Sequence, residues 1–327
     1  MTQNPCHGDE RQISKEIFSR DLVHRVNELY HDFQADDFNE LHRMRHLVER
    51  LFWASNVVPV LLRDGAAFGV DLCSGTGFVP RVLMKNMPSD TTMLCIDLSG
   101  EALLRGKSSL GPAGQQITYH VGDVTRIPLE NGKADWVSLN AGLHHLPDPS
   151  SVLREIDRVL KRGGVFCMGH EPNAAFFRSP SLYKMERFIW NLFWYCSLPR
   201  NIKRIKRKLG RRVDDYEHHE HLDAINNKLI TEGLIDKPLT LAELRRMVDI
   251  HTALENDAEK SHKGFWVHEL IEKNFPEYVI EFIRYVDYGG EMLRRHPRLR
   301  SAFDTLMRWL APDKGRLFSW ILRKPDS

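Results

Sequence analysis

The chain has 327 residues, enough to bury a large core in one elaborated domain or two. Its 46 Lys and Arg against 44 Asp and Glu leave a formal net charge of +2, so no whole-chain basic character points to nucleic acid. Five cysteines stand singly at positions 6, 73, 95, 167 and 196, and no run of about twenty apolar residues occurs. This pattern argues against a structural zinc site, a dithiol redox motif or a membrane-spanning helix. It also sets an expectation of a reducing, cytoplasmic setting, because the stretch from Met1 to Arg11 is polar and lacks an apolar signal core.

Residues 1–65 are expected to form an N-terminal helical cap. Phe18, Leu22, Val26 and Leu29 recur near helical spacing, as do Leu41, Met44, Leu47, Val48, Leu51 and Phe52. Tyr30 and Phe33 read first as core packing on that cap. From 66 to 170 strands alternate with helices, which predicts a parallel sheet with helices on both faces. Two short segments dominate this region: Gly69-Val70-Asp71-Leu72-Cys73-Ser74-Gly75-Thr76-Gly77 and Cys95-Ile96-Asp97-Leu98-Ser99. The first is a strand running into a tight glycine turn. The second is a strand ending in an acid.

That pairing suits an adenosine-containing ligand. Gly75 and Gly77 let the backbone approach closely, and the Asp97 carboxylate can accept from both ribose hydroxyls. A nicotinamide or flavin site would carry a third glycine, but Pro80 stands there. Asp71 at the end of the first strand would repel a pyrophosphate and attract a cation.

Further segments follow in order. They are Val121-Gly122-Asp123-Val124 with Pro128, then Ala134 to Asn140, then Leu143-His144-His145-Leu146-Pro147-Asp148, then Arg158 to Gly164 before a fifth strand from Val165 to Gly169. Taken with the glycine turn, the series resembles the class I S-adenosylmethionine (SAM)-dependent methyltransferases, of the type found in quinone biosynthesis. One departure is Cys73, which stands where a glycine usually sits. The resemblance implies an α/β, Rossmann-like seven-stranded mixed sheet whose last strand, within 316–325, inserts antiparallel. It also implies SAM as cofactor, held by Asp71, Cys73, Gly75, Gly77, Asp97, Leu98, Asp123, Val124 and Asn140. Within that set Asp123 would face the adenine amino group, and Asn140 would lie beside the methionyl part.

Beyond the fifth strand the sequence leaves the family pattern. Residues 174–262 read as a helical lid inserted in one domain, whose SAM-binding core comprises 66–173 and 263–327. The core resumes with a helix at 264–270, a strand at 277–285 and a helical stretch at 290–311. Ligands in open α/β sheets bind outside the carboxyl ends of the strands. An insertion beginning at Gly169-His170-Glu171-Pro172-Asn173 is therefore expected to roof an acceptor pocket, with Phe176 and Phe177 nearest its mouth. Its aromatic run from Phe176 to Tyr195 otherwise reads as core. The basic run Arg200 to Arg212 reads first as a solvated helix, and second as a contact for an anionic membrane surface or acidic carrier protein. His218, His219, Glu220 and His221 do not have the spacing of a metal site, and no metal is expected.

Methyl transfer from a sulfonium is an in-line displacement with a neutral leaving group, so positioning supplies most of the rate and a base completes it where the acceptor carries a proton. His145 and His170 are the candidate bases, with Asn140 beside them; Glu171 and His144 are candidate substrate contacts. The leading reading is methylation of a small-molecule acceptor. A second keeps SAM but turns it on itself, as azetidine-2-carboxylate-forming cyclases do with release of methylthioadenosine. A third is a non-catalytic SAM-binding protein. A nucleic-acid methyltransferase fits poorly, since Asn140 is followed by Ala-Gly-Leu and not by a Pro-Pro-aromatic motif. Oligomeric state is not written in the sequence.

Overall fold

Near-continuous burial along the central strands builds a sheet with two covered faces. The computed structural model describes residues 18–326 apart from 37, 42, 197–215, 249–263, 291, 292, 294 and 295. The Arg200 to Arg212 run lies outside them. The strands are β1 (Phe68–Leu72), β2 (Thr92–Asp97), β3 (Ile117–Val121), β4 (Ala134–Asn140), β5 (Leu160–Pro172), β6 (Val279–Val286) and β7 (Leu317–Arg323). They form one seven-stranded sheet in the order β3-β2-β1-β4-β5-β7-β6. β1 to β5 pair in parallel, and β7 runs antiparallel to both β5 and β6. This is the expected Rossmann-like mixed sheet. The chain order reverses direction between β1 and β4, which opens a crevice at their carboxyl ends.

The helices are α1 (Arg20–Gln34), α2 (Phe38–Leu41), α3 (Arg43–Phe52), α4 (Val58–Arg63), α5 (Phe78–Met84), α6 (Gly100–Leu110), α7 (Pro149–Val159), α8 (Ala174–Phe177), α9 (Pro180–Cys196), α10 (Tyr216–Thr231), α11 (Leu241–Val248), α12 (Val267–Asn274) and α13 (Pro297–Leu310). A π-helical turn, Trp53–Val57, joins α3 to α4. On one face of the sheet Val70, Leu72, Ile96, Val137 and Leu139 meet Val152 and Ile156 of α7 and Val267 and Ile271 of α12. On the other face Met93, Cys95, Trp136 and Cys167 meet α4, α5, α6 and the π turn. Cys95 and Cys167 thus serve as small apolar side chains, and burial pushes both thiols well up.

The inserted region divides between two partners. α8 and α9 pack through Phe176 and Leu182 against Tyr288 and Met307 near the C-terminus. α10 and α11 pack instead against α1, joining Val23, Val26 and Leu29 to Ile225, Leu229, Leu244 and Met247. The apolar stripe of α1 therefore finds its partner roughly two hundred residues away in sequence, and the roof over the sheet combines the N-terminal cap with the late insertion.

One close approach fixes the centre of the sheet. Gly69 pairs with Trp136 on β4, and a Cβ added at Gly69 would lie 1.9 Å from the indole. The buried Trp136 ring occupies the space a side chain would need. Gly69→Ala should lower unfolding free energy by about 1–3 kcal/mol, the usual range for overpacking a filled core, with urea denaturation as the measurement.

Candidate active site

The loop after β1 turns through positive φ at Cys73 (51°), Gly75 (52°) and Gly77 (77°) before α5 begins. The left-handed conformation at Cys73 accounts for the usual glycine there. The cysteine is accommodated because Gly142 lies opposite: a Cβ on Gly142 would come within 2.6 Å of the Cys73 Cβ. Gly77 packs its backbone on Gly106 of α6, so it shapes the turn and does not line the cavity. Ala141 (51°) and His170 (58°) adopt the same unusual region at the ends of β4 and β5. Left-handed non-glycine residues cost of order 1–3 kcal/mol each and concentrate at functional sites.

These strand ends enclose a cavity of about 300 Å³. It is lined by Asp71, Cys73, Gly75, Asp97, Leu98, Asp123, Val124 and Asn140, so all but Gly77 of the cofactor set expected from the sequence converge on one space. His144 and His145 line it too. Four carboxylates, those of Glu49, Asp71, Asp97 and Asp123, stand on its wall, and none of the described lining residues is Lys or Arg.

Each acid is held by specific donors. Asp97 Oδ2 accepts from Gly75 N (2.8 Å), and Oδ1 accepts from Ser99 N (2.9 Å). Burial nevertheless moves its carboxyl above the usual range. Asp71 is buried at the end of β1 and accepts from Ser138 Oγ at 2.6 Å. Burial pushes its carboxyl up to about 7. Asp123 Oδ1 accepts from Thr125 N (2.8 Å), and Oδ2 faces Arg20 (3.5 Å) and His24 (3.7 Å) of α1. Asn140 Oδ1 accepts from Trp53 Nε1 (3.0 Å), while Asn140 Nδ2 donates to the buried Glu49 Oε2 (3.1 Å). The π turn thus sits where Trp53 fixes which way the Asn140 amide points.

The turn after β4 is organised from below by Glu171. Its Oε1 accepts from Gly142 N (2.7 Å) and Leu143 N (2.9 Å), and its Oε2 accepts from His144 N (3.2 Å) and His144 Nδ1 (2.9 Å). Burial alone would raise this carboxyl, but the neighbouring His144 ring and the backbone donors outweigh it and hold it below the usual range. His145 Nδ1 lies 2.6 Å from the Val248 carbonyl of α11. A carbonyl only accepts, so Nδ1 carries the proton and the basic lone pair of the neutral ring is on Nε2.

Four residues assigned to catalysis or acceptor contact fall elsewhere. The β-bulge between Met168 and Glu171 turns His170 toward Phe52, with its ring 6.3 Å from the Phe52 ring, and its backbone N donates to Ser319 Oγ. Glu171 points under the β4 turn. Phe176 is fully buried beside Tyr288, and the Phe177 ring stacks near the Arg316 guanidinium at 5.5 Å. None of the four lines the cavity. The reason is that β5 runs on to Pro172, three residues past Gly169, the partner of the last β4 residue Asn140, so His170 and the residues after it lie beyond the strand ends that line the cavity.

The far wall comes from α1 and α3, through His24, Asn27, His31, Gln34, His46 and Glu49. His46 stacks on Phe78 (4.4 Å, 16°), and His31 meets His145 edge-on (5.3 Å). The sequence carries one legible signal for this wall: positions 24, 27, 31 and 34 form a polar stripe at helical spacing beside the apolar one. Tyr30, read as core, is buried and also reaches the cavity. Phe33 stacks instead on His221 (5.8 Å, 14°). No cluster of metal-ligating groups occurs among the described residues.

Residues 70–168 match a family described as methyltransferase domain. Over these residues the chain is similar to the methyltransferase domains of that family, for which SAM is the cofactor. Relatives with assigned activities include demethylmenaquinone methyltransferases. The Staphylococcus aureus protein is 30% identical over 154 residues, 46% of this chain and 61% of its own length. The Lactococcus lactis protein is 30% identical over 149 residues, 44% of this chain and 58% of its own length. The chain thus matches somewhat less than two thirds of those relatives, through less than half of itself. Among solved structures, a SAM-dependent methyltransferase from Mesorhizobium loti shares 14% identity over 82% of this chain and 96% of that one, with a TM-score of 0.45. One from Aquifex aeolicus shares 20% over 38% and 67%, with a TM-score of 0.32.

Two outcomes follow from the buried acids. Glu171→Gln should lower stability at pH 7 by roughly 2–4 kcal/mol, because an amide nitrogen would face N–H donors left without an acceptor. The wild-type advantage, measured by urea denaturation, should shrink as pH falls through the depressed folded-state value, since protonated Glu171 no longer accepts as a carboxylate. Asp71 behaves in the opposite sense. Its folded-state value of about 7 lies above the unfolded one, so ionisation weakens the empty fold as pH rises. A bound cation favours that ionised form. SAM affinity by calorimetry should therefore increase from about pH 6 to about pH 7.5 in the wild type and lose most of this rise in Asp71→Asn.

Proposed function

We propose that this protein methylates a small-molecule acceptor with SAM as donor. The observation that carries the reading is the cavity wall: four carboxylates at or facing the strand ends, with no Lys or Arg among the described lining residues. Such a wall disfavours phosphates and favours a ligand bearing an ammonium and a sulfonium. The bound cofactor supplies an activated methyl group on a cationic sulfur.

The roles of the residues follow from their places. Asp97, already oriented by Gly75 and Ser99, accepts from the ribose hydroxyls. Asp123, Val124 and Leu98 border the adenine, with α1 closing over them through Arg20 and His24. Asp71 and the Asn140–Glu49 pair face the methionyl end. Trp53 and Glu49 lock the Asn140 amide, so its polar atoms hold one geometry. His145 is the proposed proton acceptor, with its Nδ1–H fixed on the Val248 carbonyl and Nε2 basic. His144, tied to Glu171, keeps the turn that presents it. The helical roof excludes water from the reacting groups.

The relatives' names make a quinone-type ring the first acceptor class to test. Neither self-alkylation of the donor nor non-catalytic binding gains support from them, since both are named methyltransferases. Isothermal titration with SAM and its demethylated product, followed by turnover assays on hydroquinones and phenols with a labelled methyl group, tests the proposal. Asp97→Ala should weaken SAM binding by about 1–3 kcal/mol, the loss expected for charge-assisted hydrogen bonds. His145→Ala should retain SAM binding and lose about 10²–10⁴ in kcat. Unchanged SAM affinity in Asp97→Ala, or methylthioadenosine released from SAM without any acceptor, would overturn the reading.

A further inference from the structure

A second feature shares the cavity's edge of the sheet but takes no part in the cavity. Leu317 at the start of β7 pairs with Pro172 at the end of β5 and with Val286 at the end of β6. The segment between β6 and β7 therefore emerges at the carboxyl edge, where the cavity also opens. α13 occupies much of that segment.

The inner face of α13 is fully engaged. Arg300, Asp304 and Met307 are buried, and Asp304 accepts from Asp287 N (3.2 Å) and Tyr288 N (3.1 Å). The exposed face is divided lengthwise: Arg298, Ser301, Thr305 and Arg308 occupy one side of it, and the other side is apolar. Leu299 is 49% exposed, Leu306 52%, Trp309 80% and Leu310 58%, with Ala302 exposed between them. These positions recur at intervals of three and four residues, so they form one stripe along the helix. Isolated apolar residues on a surface are ordinary, but an aligned stripe marks a contact.

The charges bordering the stripe choose its partner. Arg298 and Arg308 are exposed, whereas the helix's one acid, Asp304, faces inward. The following turn adds Asp313 and Lys314, which offset each other. A second copy of this chain meeting the same face in a twofold dimer would set arginines against a helix that offers them no outward acid. An anionic lipid surface supplies the missing negative charge to the arginines and an apolar layer to the leucines. Tryptophan favours that boundary, having an apolar ring and one polar N–H, and arginine stems can lie along apolar surface while their heads stay wet.

We propose that α13 is an interfacial anchor that rests on an anionic phospholipid surface and turns the carboxyl edge of the sheet toward the membrane. The anchor is independent of which acceptor is methylated. No described helix is long and apolar enough to cross a bilayer, so the contact is one of lying on the surface.

Flotation of the full chain with vesicles tests this directly. Phosphatidylcholine vesicles containing phosphatidylglycerol should bind the protein, and pure phosphatidylcholine vesicles should bind it weakly. The double substitutions Leu306→Ser with Trp309→Ser, and Arg298→Glu with Arg308→Glu, should each reduce binding to anionic vesicles by at least about tenfold. Because the four residues are exposed and outside the cavity, SAM affinity should stay at its wild-type value, and Tm should fall by no more than about 4–8 °C, Arg308 giving up only its bonds to the Asp304 carbonyl and Thr305 Oγ1. Absence of wild-type binding, or equal binding by both variants, would overturn the proposal. So would a wild-type dimer, seen by analytical ultracentrifugation, that dissociates on the Leu306→Ser and Trp309→Ser changes, since a second copy would then cover the stripe.

Discussion

Carboxylates gathered around one enclosed space, with no Lys or Arg among its described lining residues, are the constraint that organises this protein. A buried acid must be neutralised, paired or hydrogen-bonded. Asp71 is neutralised in part, since burial brings its carboxyl to about 7. Asp97 is also pushed upward by burial, although the backbone N–H groups of Ser99, Gly75 and Leu98 oppose the shift. The crevice between β1 and β4 concentrates these groups because parallel strands end together there. The site is thus poised for a cationic ligand, whose binding would draw a proton off Asp71 and return the energy withheld by desolvation.

Glu171 shows the same residue type under the opposite condition. It is fully buried, yet three backbone N–H groups and the His144 ring converge on it, and its carboxyl lies low. A satisfied carboxylate serves as scaffold, whereas a poorly compensated one is available to a ligand. This distinction separates Glu171 from Asp71 more clearly than their positions on β1 and β5, on either side of β4. It also connects β5 to the cavity indirectly, because the turn it holds carries His144 and His145, which line it.

The roof has a composite origin with consequences for closure. α1 reaches Asp123 through Arg20 and His24 and joins α10 and α11, whose end reaches His145 through the Val248 carbonyl. Ser99 Oγ donates to Asp32 of α1 (2.6 Å), so the cap is tied to the end of β2 as well. Residues far apart in the chain therefore enclose one cavity of about 300 Å³. Any movement admitting a ligand must act on these ties together.

Much of the fold and of the cofactor wall was legible in the order of residues. Strand and helix periods, the glycine turn, and acids following apolar runs are local properties, and local sterics and hydrogen bonding act on them wherever the chain goes. Hence the seven strands, the antiparallel last strand, and the convergence of Asp71, Asp97, Asp123 and Asn140 could be anticipated. The places of His170, Phe176 and Phe177 could not, because a bulge and the run of β5 past the end of β4 decided them. Nor could Glu49 and the histidines of α1 and α3 be assigned, since a polar residue on a helix has no partner until the helix is docked. The sequence by itself determined which segments become strands and which chemical groups stand at their ends. Only the tertiary structure decided which buried acids are satisfied, which helices roof the cavity, and which apolar stripe stays uncovered, because those outcomes depend on distances between residues that the chain order does not constrain.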